Sequence, residues 1–262
     1  MTREIERRKE AFVDLLNIIA TLRVECPWDR KQTLESLRDL TVEEVYELGD
    51  AILRNDFQEI KKELGDILMH VVFYAQIGEE QQQFDITEVL EGICEKLRYR
   101  HPHVYGEVVV SDEQDVLRNW EQLKLKEKGR KRVLEGVPAT LPAMIKAFRI
   151  QDKARGVGFD WEQKQDVWKK IEEELQELKS ELETGDEQGM EAELGDVIFS
   201  IVNAARLYNI NPETALEKTN RKFIRRFNYI EERAHASGRG LPDLSLEEME
   251  ELWQEAKKQG DE

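Results

Sequence analysis

The tetrapeptide Glu-Leu-Gly-Asp occurs twice, at Glu63–Asp66 and at Glu193–Asp196. Upstream of each copy lies a Glu-Glu-x-x-Glu run, Glu43, Glu44 and Glu47 in one case and Glu173, Glu174 and Glu177 in the other. The spacing is held as well as the letters, with 19 residues from Glu44 to Glu63 and 19 from Glu174 to Glu193. Further on, Lys96 and Arg100 correspond to Lys222 and Arg226, and Trp120 and Lys124 to Trp253 and Lys257. A chain that repeats itself in this way is built from two copies of one supersecondary unit. The copies are read as domains over 1–127 and 138–262, with a linker at 128–137. The surrounding segment Glu127–Thr140 carries the turn-forming residues Gly129, Gly136 and Pro138 and the basic trio Arg130–Arg132.

The apolar spacing is helical throughout. Val42, Val45, Leu48 and Ile52 recur at three or four residues, as do Ile67, Val71 and Tyr74, and Ile171, Leu175, Leu178 and Leu182. Thr41, with Glu44 three residues on, reads as a helix N-cap, and Asn211-Pro212 as another helix start. Val108–Val110 is the one short strand candidate. The expected fold class is all-α.

Residues three or four apart share a helix face, so Glu44 and Glu47 are neighbours, as are Glu63 and Asp66. In a helical hairpin, residues equidistant from the turn face each other. The pairs 44 with 66 and 47 with 63 both centre on residue 55; the pairs 174 with 196 and 177 with 193 both centre on Gly185. Each hairpin therefore brings four carboxylates together, and such a group repels itself unless a cation intervenes. Oxygen donors without cysteine suit Mg²⁺, Mn²⁺ or Ca²⁺. A ferritin-like iron site would need Glu-x-x-His pairs, and no histidine lies three residues after these acids. Gly65 and Gly195 sit within the helices, where glycine is costly, and read as points of close helix contact.

Lys96/Arg100 and Lys222/Arg226 can grip phosphates or form solvated faces. Trp120 and Trp253 can stack on a base or fill the core. No Gly-x-x-x-x-Gly-Lys-Ser/Thr segment is present, so phosphate binding does not use a glycine cradle. The net charge of −17 argues against nucleic acid as a direct partner, while a nucleotide remains compatible through a bridging cation. Cys26 and Cys94 form no C-x-x-C pair. No stretch is apolar enough for a signal core or a membrane span, and a cytoplasmic location is expected.

Taken with Cys26-Pro27-Trp28-Asp29, Arg100-His101-Pro102-His103-Val104 and Val157-Gly158-Phe159-Asp160-Trp161, these motifs resemble the two-repeat MazG nucleoside triphosphate pyrophosphohydrolases over nearly the whole length. The resemblance implies tandem all-α domains whose helical hairpins pack as four-helix bundles across a homodimer. It also implies Mg²⁺-dependent cleavage of a nucleoside triphosphate to the monophosphate and pyrophosphate, with Mn²⁺ as a substitute and a role in clearing non-standard or excess nucleotides. The C-terminal repeat is then the seat of catalysis. Glu174, Glu177, Glu193 and Asp196 would bind metal, with Glu44, Glu47, Glu63 and Asp66 as the N-terminal set. Lys170, Lys222, Arg226, Trp253 and Lys257 would contact nucleotide, with Lys96, Arg100, Trp120 and Lys124 as counterparts. Glu173 is the first candidate for proton acceptor beside Glu174. Related enzymes acting on dUTP or phosphoribosyl-ATP share the carboxylate logic, but the two-repeat length and the Val-Gly-Phe-Asp-Trp segment point away from them. The competing expectations are a metal-dependent nucleotide-binding regulatory protein without turnover and a purely structural helical scaffold.

Overall fold

A computed structural model describes residues 2–112, 115, 116, 119, 123, 132–161 and 163–260. Trp120, Lys124 and the basic residues Arg130 and Lys131 lie outside them. The chain divides into two compact units, Met1–Val110 and Ser111–Glu262, and the described residues form helices and no strand. Val108–Val110 is accordingly not a strand: a three-residue segment with no second strand beside it has nothing to pair its backbone with.

The first unit contains α1 (Thr2–Glu25), a 3-10 turn at Asp29–Lys31, α2 (Leu34–Leu53), α3 (Phe57–Glu80), α4 (Ile86–Arg100) and the one-turn α5 (Pro102–Tyr105). Helix α2 begins earlier than the sequence suggests. Its cap is Thr33, whose side chain accepts from Ser36 N while Ser36 Oγ accepts from Thr33 N. Thr41 lies in mid-helix instead. Its hydroxyl donates to the carbonyl of Leu37 at 2.9 Å and meets Tyr74 Oη of α3 at 2.7 Å. A threonine next to an acidic run has the composition of a cap, but here that hydroxyl serves the helix–helix contact. The turn between α2 and α3 spans 54–56, with Asn55 at φ +57° and Asp56 capping α3 through Gln58 N and Glu59 N. Ile19, Leu37, Val72, Phe73 and Ile77 form the core.

The second unit contains a 3-10 turn at Val133–Gly136, α6 (Ala143–Arg155), α7 (Asp166–Thr184), α8 (Glu187–Leu207), α9 (Pro212–Ala236), a 3-10 turn at Leu241–Asp243 and α10 (Leu246–Lys258). Helices α7 and α8 form the hairpin. Gly185 closes α7 at φ +76°, a left-handed conformation that suits glycine, and Asp186 caps α8. Asn211 caps α9 with Pro212 at its first position. Val167, Ile171, Ala204 and Leu207 are buried together.

One expectation about helix faces, the close contact at Gly65 and Gly195, is corrected. Val42, Val45 and Ile52 stand exposed on α2, as do Leu64 and Leu68 on α3, Leu182 on α7 and Leu194 and Ile198 on α8. Gly65 and Gly195 lie on these open faces, and a methyl added at either would meet nothing within 4 Å. Neither glycine permits a close helix contact within the chain. Helical spacing marks an apolar stripe but not what covers it. Among the described residues no helix is long and apolar enough to cross a membrane.

Candidate metal and nucleotide site

Each hairpin gathers acids opposite its turn. In the first, Glu44 of α2 and Glu63 and Asp66 of α3 bring carboxylate oxygens within 4.8 Å of one another. In the second, Glu174 and Glu177 of α7 meet Glu193 of α8 within the same distance. Six of the eight acids are thus brought together, three by three. Glu47 stays outside the first group and is exposed, and Asp196 stays outside the second. Equidistance from a turn ignores the rotation of one helix against the other, and each group closes on one complete pair and a single member of the other.

The electrostatics of the two groups are those of crowded acids. Burial raises the Glu44 carboxyl, and a hydrogen bond shared with Glu63 and the charges of Asp66 and Glu47 push it further. The hydrogen bond from Lys62, at 2.9 Å, holds Glu63 low against the cost of its burial. Glu63 is only 2% exposed, and its Oε2 has no hydrogen-bond partner. In the second group, burial raises Glu177, helped by its hydrogen bond to Glu174 and by Glu193. A buried carboxylate oxygen without a partner, set among like charges, fits a hard divalent cation: the donors are all oxygen and converge within bonding range of one ion.

Lys170 stands one turn before the second group. Its Nζ lies 2.8 Å from Glu173 Oε1 and 2.8 Å from Glu174 Oε1, and these acids, Glu173 first, hold its pKa above that of a free lysine. Glu174 is buried while Glu173 is exposed.

Beside Glu174 opens a cavity of about 640 Å³, within the range of about 300–1,000 Å³ usual for small-molecule sites. Lys170, Glu174 and Asp196 contribute charged groups to its wall, and Phe159, Trp161 and Phe199 contribute its aromatic lining. Gln151, Asn203 and Arg206 supply polar groups. Arg206 is buried and paired with Asp160 through Nη1 at 3.0 Å and through Nη2, and it donates to Asn203 Oδ1 at 2.8 and 3.1 Å. Burial raises the Asp160 carboxyl, but Arg206 and the Trp161 N–H more than reverse this and leave it low. Gln151 gives its Nε2 to the carbonyl of Phe199 at 2.8 Å, leaving a buried Oε1 without a partner, at a cost of about 1–3 kcal/mol unless something meets it. Leu134, from the segment read as linker, also lines the cavity.

The remaining predicted contacts lie elsewhere. Lys222 and Arg226 are on α9 and Trp253 and Lys257 on α10, and none of the four lines the cavity. Arg226 lies over the Trp253 ring at 5.4 Å, and Phe223 packs on that ring at 5.1 Å. Lys96 and Arg100 are on α4, which ends at Arg100 just before His101-Pro102. Gln151, Ser200, Asn203 and Arg206 escaped the sequence reading. For the three on α8 a signal was available: Ser200, Asn203 and Arg206 recur every three residues, a polar stripe that turns inward.

An all-helical chain that twice sets three carboxylates across a hairpin, once beside a cavity, defines a class of helical proteins whose paired acid groups could hold a metal ion. Within that class the chain belongs to the MazG nucleotide pyrophosphohydrolase family, whose domain model matches residues 32–105 and 162–230. It is 44% identical over 250 residues to the Thermotoga maritima nucleoside triphosphate pyrophosphohydrolase/pyrophosphatase MazG, covering 94% of this chain and 95% of that one. It is 41% identical over 253 residues to the nucleoside triphosphate pyrophosphohydrolase of Escherichia coli K12, covering 94% and 96%. It is also 51% identical over 251 residues to the Bacillus subtilis uncharacterized protein YabN, covering 94% of this chain and 51% of that protein. Both matched family segments contain an acid group, whereas Gln151 and Phe159–Trp161 precede the second segment.

Proposed function

We propose that this chain is a nucleoside triphosphate pyrophosphohydrolase that splits an NTP into NMP and pyrophosphate, with Mg²⁺ as cofactor and Mn²⁺ as substitute. The observation that carries the reading is the position of Glu174, which belongs both to the second acid group and to the wall of the cavity. Similarity to relatives named for this activity supports it. Glu174, Glu177 and Glu193 would hold the cation, with Asp196 approaching from the cavity side. When bound, Mg²⁺ supplies charge neutralisation of the phosphates and Lewis-acid activation of the attacking water. Lys170 fixes the rotamer of Glu174 and offsets part of the acid charge. Glu173 accepts the proton through the carboxylate that Lys170 orients. Lys222 and Arg226 act on the leaving pyrophosphate, and Trp253 and Lys257 complete the nucleotide contacts.

The wider setting is part of the same reading. The exposed stripes on α2, α3, α7 and α8 support a homodimer in which hairpins pair as four-helix bundles, and each hairpin alone leaves its apolar face uncovered. The domain boundaries 1–127 and 138–262, a cytoplasmic location and the clearing of non-standard or excess nucleotides belong to the reading as well.

Pyrophosphate release from a panel of NTPs, with and without Mg²⁺, tests it on wild type, Glu44→Ala and Glu174→Ala. Magnesium-dependent release abolished in Glu174→Ala is expected. Loss only in Glu44→Ala would move catalysis to the first unit. The engagement of Glu173 by Lys170 favours one alternative, a nucleotide-binding regulatory protein without turnover, which predicts binding with no release above the Glu174→Ala control.

A further inference from the structure

We propose that the first unit binds a divalent transition-metal ion through Glu44, Glu63, Asp66 and the ring of His70, in preference to Mg²⁺. This goes beyond the activity proposed above and does not depend on it. Glu63, Asp66 and His70 follow one another at three and four residues along α3, a spacing that puts them on one helix face. Glu44 of α2 meets the two carboxylates within 4.8 Å. His70 stands one turn beyond that converging set of three, and the Asp66 carboxylate is near enough for its charge to act on the ring. Side chains four residues apart on a helix are placed to share one ion, as the paired histidines of helical zinc sites do.

Both ends of this row are buried and lack partners. Glu63 is 2% exposed and His70 5%. Among the described residues three buried side-chain atoms have no hydrogen-bond partner: Glu63 Oε2, His70 Nδ1 and, in the second unit, Gln151 Oε1. Leaving such an atom unmet costs about 1–3 kcal/mol, and a single ion on this face of α3 meets both of those in the first unit. Imidazole nitrogen among carboxylates suits Zn²⁺ and similar ions, whereas Mg²⁺ takes oxygen donors and keeps much of its water. One histidine, four residues after its acid, does not make the paired Glu-x-x-His pattern of a di-iron centre, so the donor set describes one ion.

The second unit supplies an internal comparison. The two Glu-Leu-Gly-Asp segments lie 130 residues apart (193 less 63), so Leu40, His70 and Phe73 correspond to Lys170, Ser200 and Asn203. Phe73 is 3% exposed in the core with Ile19, Leu37, Val72 and Ile77, and Leu40 packs against the same cluster. The repeat thus keeps the acids and changes what stands beside them: a hydroxyl at Ser200, an imidazole at His70.

The chain has four histidines, so His101→Gln, His103→Gln and His235→Gln together leave His70 as the one imidazole. That full chain, labelled with ¹⁵N-histidine and stripped of metal by a chelator, is titrated with Zn²⁺ and separately with Mg²⁺. One equivalent of Zn²⁺ is expected to shift the His70 ring nitrogens, and excess Mg²⁺, which binds carboxylates but not the ring, is not. Competition with a chromophoric zinc indicator gives the affinity, which a further His70→Gln or Glu63→Gln is expected to weaken at least tenfold. Ring nitrogens unmoved by Zn²⁺, or moved equally by Mg²⁺, overturn the assignment. So does zinc affinity within twofold of the parent in a His70→Gln chain that is folded by circular dichroism. The nitrogen signal is read with His70 in place, so it decides the matter even where His70→Gln fails to fold.

Discussion

Lys170 Nζ sits 2.8 Å from the buried Glu174 carboxylate and 2.8 Å from the exposed Glu173 carboxylate, one cation spanning the inner and outer acids of a single helix turn. The corresponding residue of the first unit is Leu40, so this brace belongs to the second acid group alone.

Removing that brace tests its part in the proposed chemistry. Lys170→Met is expected to lower kcat/KM by about 10–100-fold, the usual effect of losing a group that orients a metal ligand. Steady-state pyrophosphate release measures it; activity within twofold of wild type would mean that Glu174 needs no partner.

Cation binding should register as stability. At a free Mg²⁺ concentration 100 times Kd, a site present only in the folded state adds about 2.7 kcal/mol. Thermal melts of wild type should therefore rise with Mg²⁺, while Glu174→Gln with Glu63→Gln should show a clearly smaller rise. In the absence of divalent ions, Glu177→Gln is expected to melt no lower than wild type, because it removes like charge from a crowded group.

The Asp160–Arg206 pair in the cavity wall should carry stability. Asp160→Ala strands the buried Arg206 guanidinium, for which the expected loss is about 3–5 kcal/mol, read from the urea midpoint. A change below 1 kcal/mol would show that water reaches Arg206.

Acid sensitivity follows from Arg239 and Glu248. Arg239 and the Ser245 N–H pull the Glu248 carboxyl from its ordinary 4.5 down to about 2. A carboxylate lowered on folding stabilises the native state above its unfolded pKa. That contribution is lost as pH falls from about 4.5 towards 2. Wild type should lose stability more steeply across that window than Arg239→Met, as followed by circular dichroism at fixed urea. Equal slopes would remove this pair from the acid response.

The exposed glycines test the proposed dimer. A methyl at Gly195 meets open space within the chain, so on a free helix face Gly195→Ala would stabilise by roughly 0.5–1 kcal/mol. Under a paired hairpin the methyl meets the partner's backbone. The expected outcome is a lower melting temperature and a shift towards monomer in sedimentation; a stabilised variant with unchanged mass would argue that this face stays open.

The repeated acids, the hairpin turns near 55 and 185 and the all-helical class were legible in the sequence because they depend on local spacing and on turn residues such as Gly185 and Asp186. Other features lay beyond it. Thr41 has the neighbours of a cap but faces Tyr74. Val42 and Val45 have the spacing of a core stripe but stand in the open. Glu47 and Asp196 share the spacing of their partners but stand outside the groups of three carboxylates. Helical periodicity records which residues share a face, and a repeat records which units correspond. The rotation of one helix against the next is set by side chains far apart in the chain. That packing alone decided which three acids converge, and it left a cavity beside Glu174 in the second unit while Phe73 fills the core of the first.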